Sequence, residues 1–124
     1  MAAEDAGDLT QEERSLAKGG LAGWQVRAIT RLADAQLEAL TVRAMAAAVD
    51  LSPHHFSRAF RMTFGASPRE WLISARLERA KLRLLETSDT VEQIAVRFGY
   101  SSGSQFSRAF RARFGLSPQS FRRR

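Results

Sequence analysis

Two stretches of the chain, HFSRAFRMTFGASPREW at 55–71 and QFSRAFRARFGLSPQSF at 105–121, share six identical residues in a row. Matched positions follow at Phe64/Phe114, Gly65/Gly115, Ser67/Ser117, Pro68/Pro118 and the aromatic pair Trp71/Phe121. A repeat this close, within 124 residues, demands one local structure built twice. On a wheel of 100° per residue, Phe56, Ala59, Phe60 and Thr63 fall within about 100° of one another and form a stripe for burial. Phe106, Ala109, Phe110 and Arg113 correspond to them in the second copy. From the opposite side project His54, Ser57, Arg58 and Arg61, and in the second copy Ser104, Ser107, Arg108 and Arg111.

The repeat extends upstream. Met45-Ala46-x-x-Val49-x-Leu51-Ser52 matches Ile94-Ala95-x-x-Phe98-x-Tyr100-Ser101 at an offset of 49, which becomes 50 across FSRAFR. One extra residue has therefore entered between Ser101 and Gln105. Each unit reads as a short helix, a tight turn and a second helix. Ser52-Pro53 starts a helix that Gly65 stops, and Ser67-Pro68 restarts the chain with the same chemistry: serine caps free amides, and proline loses nothing at the first helical position. From Pro68 to Glu86 no breaker interrupts a stripe of Trp71, Leu72, Ala75, Leu77, Ala80, Leu84 and Leu85, which predicts the longest helix. Ser88-Asp89-Thr90 caps a short helix from Val91 to about Phe98. At the start of the first unit, Trp24, Ala28, Ile29, Leu32, Ala35 and Leu37 recur at helical spacing, followed by a short helix at Val42–Val49.

The expected fold is all-α: two homeodomain-like helix-turn-helix subdomains joined by a long linker helix. Residues 1–20, polar and punctuated by glycine, are expected to be a mobile tail. The domain proper spans 21–124, with the first unit at about 24–66, the linker helix at about 68–86 and the second unit at about 88–122.

Charge narrows the function. Five acids precede Arg14, leaving eight among residues 14–124 against all 19 bases, a net of +11 there; 17 of the bases are arginine. The guanidinium fork makes two-point contacts with phosphate oxygens and guanine edges, so a polyanion partner is indicated. Cysteine is absent, which excludes disulfides, thiolate metal sites and a cysteine nucleophile. His54 and His55 point about 100° apart on a helix and find no third ligand, so no metal or other cofactor is expected. No nucleotide loop or paired-carboxylate site suggests an enzyme, and no apolar run reaches the roughly 18 residues of a membrane span. A cytoplasmic protein is expected.

The outward residues suit a DNA major groove. Arg can bond guanine O6 and N7 together, and Ser or His can donate or accept. The linker helix, about 28 Å long at 1.5 Å per residue, is comparable with its turns to one DNA turn of roughly 34 to 36 Å. Two recognition helices, about 53–64 and 104–114, could then enter successive major grooves.

These residues together resemble the AraC/XylS family of bacterial transcription regulators. The pieces that carry the resemblance are Met45-Ala46-x-x-Val49-x-Leu51-Ser52, His55-Phe56-Ser57-Arg58-x-Phe60, both F-G-x-S-P segments, Arg76-Leu77-x-x-Ala80 with Leu84-Leu85, and Ile94-Ala95-x-x-Phe98-Gly99-Tyr100. It covers about residues 21–122. It implies sequence-specific binding to double-stranded promoter DNA as an activator or, in some members, a repressor, with RNA polymerase as a further partner of an activator; it names no effector. It also implies base contacts from His54, Ser57, Arg58, Gly103, Ser104, Ser107 and Arg108. His55, Arg61, Gln105 and Arg111 are expected against the phosphate backbone. Gly103 departs from the pattern by offering no side chain, and Asp50 stands where the second unit has Gly99. The alternative is a basic module that binds nucleic acid or an anionic surface without sequence preference.

Overall fold

The structure is a computed structural model that describes residues 19–123; the expected tail falls almost entirely on residues outside that range. Seven helices and no strand are present among the described residues: α1 (Gly23–Gln36), α2 (Val42–Ala48), α3 (Pro53–Phe64), α4 (Pro68–Glu86), α5 (Val91–Arg97), α6 (Gly103–Phe114) and α7 (Pro118–Arg122). The chain forms two compact units that meet in sequence after Trp71, inside α4.

In the first unit, Phe56 and Phe60 of α3 are fully buried and sit in a core with Leu21, Ile29, Leu37, Leu40, Met45 and Val49. Their aromatic row continues along the helix: Phe60 stacks on Phe64 at 4.3 Å between centroids, and Trp71 meets Phe60 edge-on at 5.6 Å. Thr63 ends the buried stripe as a polar anchor whose hydroxyl accepts from the Leu21 amide at 2.8 Å. The Gln25 side chain accepts from the Ala22 amide and donates to the Val49 carbonyl, tying the start of α1 to the turn after α2. Asp50 makes that turn at φ 60°, as the aspartate's tolerance of left-handed backbone allows, and Gly99 repeats it at φ 89°. Trp24, expected in the apolar stripe of α1, is half exposed because the burial runs through Ile29 and Ala33 instead.

The second unit repeats this plan. Leu77, Ala80 and Leu84 of α4 pack with Ile94, Ala95, Phe98, Phe106 and Phe110, and Tyr100, Phe114 and Phe121 flank them. Burial raises the Tyr100 phenol above its ordinary range, and the nearby Arg76 charge partly offsets this. Two expectations for this unit are corrected. Leu85 is 59% exposed, since it lies one residue beyond the Leu77–Ala80–Leu84 line. Arg113, aligned with Thr63, is exposed: its guanidinium bonds Glu78 at 3.1 Å and lies over the Phe114 ring, so its charge stays at the surface.

The helix ends follow the sequence signals closely. Ser52, Ser102 and Ser117 accept from amides three residues on, and Gly65 and Gly115 close α3 and α6 in the left-handed region at φ 78° and 85°. At Ser67 the cap is reciprocal: its hydroxyl accepts from the Glu70 amide and the Glu70 carboxylate accepts from its amide. The Ser67 amide, and after it the Ser67 side chain, hydrogen-bond the Glu70 carboxylate and hold it below its usual range. Arg122 donates to the carbonyls of Leu84 and Thr87 at 3.0 and 3.3 Å and so caps the C-terminus of α4.

Candidate nucleic-acid interface

The two repeated helices share one register. Both are 12 residues long, both begin one residue after a serine cap and both end at a left-handed glycine. The cap serines, Ser52 and Ser102, are fifty apart, so the extra residue is taken up in the turn before Ser102 and α6 starts at Gly103, one residue earlier than expected. The helical register is thereby preserved, and Arg58 and Arg108 occupy the same place in each unit.

On α3, His54, His55, Arg58 and Arg61 are exposed and Ser57 is half-buried beside Phe56. His55, Arg58, Arg61 and Met62 line one open depression together with Gly19. On α6, Ser104, Gln105, Arg108 and Arg111 are exposed and Ser107 is half-buried. The Gln105 carbonyl oxygen is already used: it accepts from the Ser101 amide at 3.2 Å and the Ser101 hydroxyl at 2.6 Å, which pins the enlarged turn. Its amide nitrogen is left for an outside acceptor such as a phosphate oxygen. Gly103 is the exception among the expected contacts, being buried, with its amide donating to Glu92 Oε2 at 3.1 Å.

The arginines thus divide by what they touch. Arg83 holds Asp89 through Nη2 at 2.7 Å and Nε at 2.8 Å, joining the end of α4 to the cap of α5. Arg113 is tied to Glu78 and Arg122 to α4 carbonyls. These three hold the fold. Arg58, Arg61, Arg108 and Arg111 instead stand exposed on the two repeated helices, a surface with fixed positive charge and fork-shaped donors. Among the described residues no three His, Cys, Asp or Glu side chains form a metal-ligand set, and no helix is long and apolar enough to cross a membrane. Sequence reasoning missed Glu92; its position at the second residue of α5 carries no motif, and its reach to Gly103 is visible only in three dimensions.

Comparison with known proteins agrees with this arrangement. The chain is 29% identical over 98 residues to the HTH-type transcriptional regulator MtrA of Neisseria gonorrhoeae. It spans only 20% to 33% of the curated relatives it matches. Among solved structures, an AraC-type DNA-binding domain regulator from Chromobacterium violaceum superposes with a TM-score of 0.74 at 30% identity, covering 80% of this chain and 89% of that one. The DNA-binding domain of AdpA, a global transcriptional factor solved with a target DNA, superposes at 0.71 and 28% identity over the same shares. A family model described as a helix-turn-helix domain matches residues 45–124, which is 80 of the 124 residues. With two units of this design and that match, the chain belongs to the AraC family of helix-turn-helix DNA-binding transcriptional regulators.

Proposed function

We propose that this chain binds double-stranded promoter DNA sequence-specifically in the bacterial cytoplasm, with α3 and α6 in successive major grooves, and that it acts as an activator whose further partner is RNA polymerase. The observation that carries the reading is the matched register of α3 and α6, which repeats a serine and an arginine at the same outward positions, Ser57/Arg58 and Ser107/Arg108. Charge alone does not call for such a match; a groove reader does, because base edges are reached only from defined positions on a helix. In this reading Arg58 and Arg108 contact guanine, and His54, Ser57, Ser104 and Ser107 contact neighbouring bases, while the Gly103 position faces the DNA through the Glu92 side chain that covers it. His55, Arg61, Gln105 and Arg111 face phosphates.

Selection of binding sites from a random duplex pool at about 150 mM salt tests this, since binding through phosphates alone is strongly weakened there. Two enriched blocks about one helical turn apart are expected. Enrichment of neither block by folded protein would refute sequence-specific reading and leave a non-specific polyanion binder. Activation is tested separately by transcription from a promoter carrying the selected site; a fall in transcript on adding the protein would refute the activator assignment.

A further inference from the structure

Gly103 opens the second repeated helix, yet it is buried, and what covers it is the Glu92 side chain from the neighbouring α5. The Gly103 amide donates to Glu92 Oε2 at 3.1 Å. A Cβ built on Gly103 would lie 2.5 Å from Glu92 Oε1 and 3.3 Å from its Cδ. The carboxylate therefore occupies the volume that a side chain at position 103 would fill, while Glu92 itself remains exposed. The first unit has no such pair: Pro53 begins α3, and Arg43 stands where the second unit has Glu92.

The geometry points to Glu92 as a specificity-determining residue of the second unit, its carboxylate standing in for the missing side chain of residue 103 and reading a cytosine. This rests on the proposal that α6 enters a major groove. An ionised carboxylate only accepts, and through two oxygens. One is held by the Gly103 amide, which orients the group; the other is left for a donor. Cytosine presents only its N4 amine in the major groove; adenine sets its N6 amine beside the N7 acceptor, guanine presents two acceptors and thymine a carbonyl and a methyl group. An acceptor fixed at this point favours cytosine, is disfavoured beside adenine N7 and is repelled by guanine N7 and O6. Gly103 is required because any larger residue would displace the carboxylate that does the reading.

The test is site selection at about 150 mM salt with the whole chain as wild type, Glu92→Gln, Glu92→Ala and Gly103→Ala, each also followed by thermal melting. The wild type is expected to select cytosine at one position of the block contacted by α6. Glu92→Gln keeps an oxygen for the Gly103 amide and turns an NH₂ outward, so that position should shift towards guanine or thymine. Glu92→Ala and Gly103→Ala should both flatten it by about fivefold or more, with the α3 block unchanged. Gly103→Ala is the decisive variant: the clash falls on the far end of a flexible side chain, so the fold is expected to keep its melting temperature while the untouched glutamate loses its position. An unchanged base preference in all three variants would overturn the inference, whether or not melting falls, and would leave Glu92 as a helix cap only. A uniform gain in affinity for every sequence would overturn it too, by showing that the carboxylate merely repels phosphates. A wild type that selects no site at all would instead refute the parent reading.

Discussion

Replacing Arg122 separates a structural arginine from a DNA-binding one. Its guanidinium donates from Nε to the Leu84 carbonyl at 3.0 Å and from Nη2 to the Thr87 carbonyl at 3.3 Å. Leu84 lies in the last turn of α4, where carbonyls have no partner further along the helix. A hydrogen bond to a charged group contributes about 1.5 to 3 kcal/mol. Only the shorter of the two counts at that level, and partial exposure puts it at the lower end, near 1.5 kcal/mol. A cation beside a helix C-terminus adds about 0.3 to 1 kcal/mol. Arg122→Ala should therefore cost about 2 kcal/mol, which lowers Tm by roughly 8 °C for a domain of this size. Arg122→Lys, with a single nitrogen that reaches one carbonyl at a time, should lose about half of that. The exposed neighbour Arg123 is the control, and Arg123→Ala should leave the melt within about 2 °C of the wild type. Circular dichroism melts at matched salt decide the matter. If Arg122→Ala melts with the wild type while its DNA affinity falls equally for all sequences, the residue is a phosphate contact and the capping argument is wrong.

Arg58→Ala and Arg108→Ala should each weaken binding to the selected site by about 1 to 3 kcal/mol and relax one base preference, read by competition with single-base variants of the site; unchanged preferences in both would remove them from the interface. Gly115→Ala adds a Cβ that meets nothing within 4 Å, so its cost comes only from the left-handed backbone at φ 85°, about 1 to 2 kcal/mol of stability by urea melting; a neutral result would contradict that conformation. The Glu70 carboxyl titrates below its free value because the folded chain hydrogen-bonds the ionised form. Its contribution is present above the unfolded value of 4.5 and is lost as pH falls through the lowered folded value, so Glu70→Gln should flatten the acid limb of the stability curve. An acid limb identical to that of the wild type would show that the Ser67–Glu70 cap plays no part in it.

Much of this design was legible in the chain because it is written in local chemistry. Ser-Pro before a helix and Gly after it act within four residues, and the phenylalanines at spacings of four define a buried row wherever the helix packs. The duplicated copy then checks each inference against a second example. What escaped was contact between side chains distant in sequence. Arg122 reaches back 38 positions to Leu84, and Arg113 reaches 35 to Glu78. A helical wheel has no term for either, and it placed Arg113 on the stripe occupied by Thr63. Leu85 fell on the edge of an apolar stripe whose width the sequence does not define. Among the base-reading candidates the wheel found the outward arginines and serines, but not that a carboxylate from the preceding helix covers Gly103.

The equal length and identical capping of α3 and α6 have a consequence for how such a protein changes over time. The stretch Phe-Ser-Arg-Ala-Phe-Arg is the same in both, whereas Pro53-His54-His55 and Gly103-Ser104-Gln105 differ at every position. Three of the five differences between the two helices thus fall in the first helical turn, ahead of the phenylalanines that hold the core; Met62/Ala112 and Thr63/Arg113 are the others. The buried cost of altering that turn is small in the first copy, where all three residues are exposed, and larger in the second, where residue 103 is hemmed in by Glu92. The two halves are therefore not equally free: in the first copy each of the three positions can change by itself, while in the second a side chain gained at residue 103 also displaces the Glu92 carboxylate on the neighbouring helix.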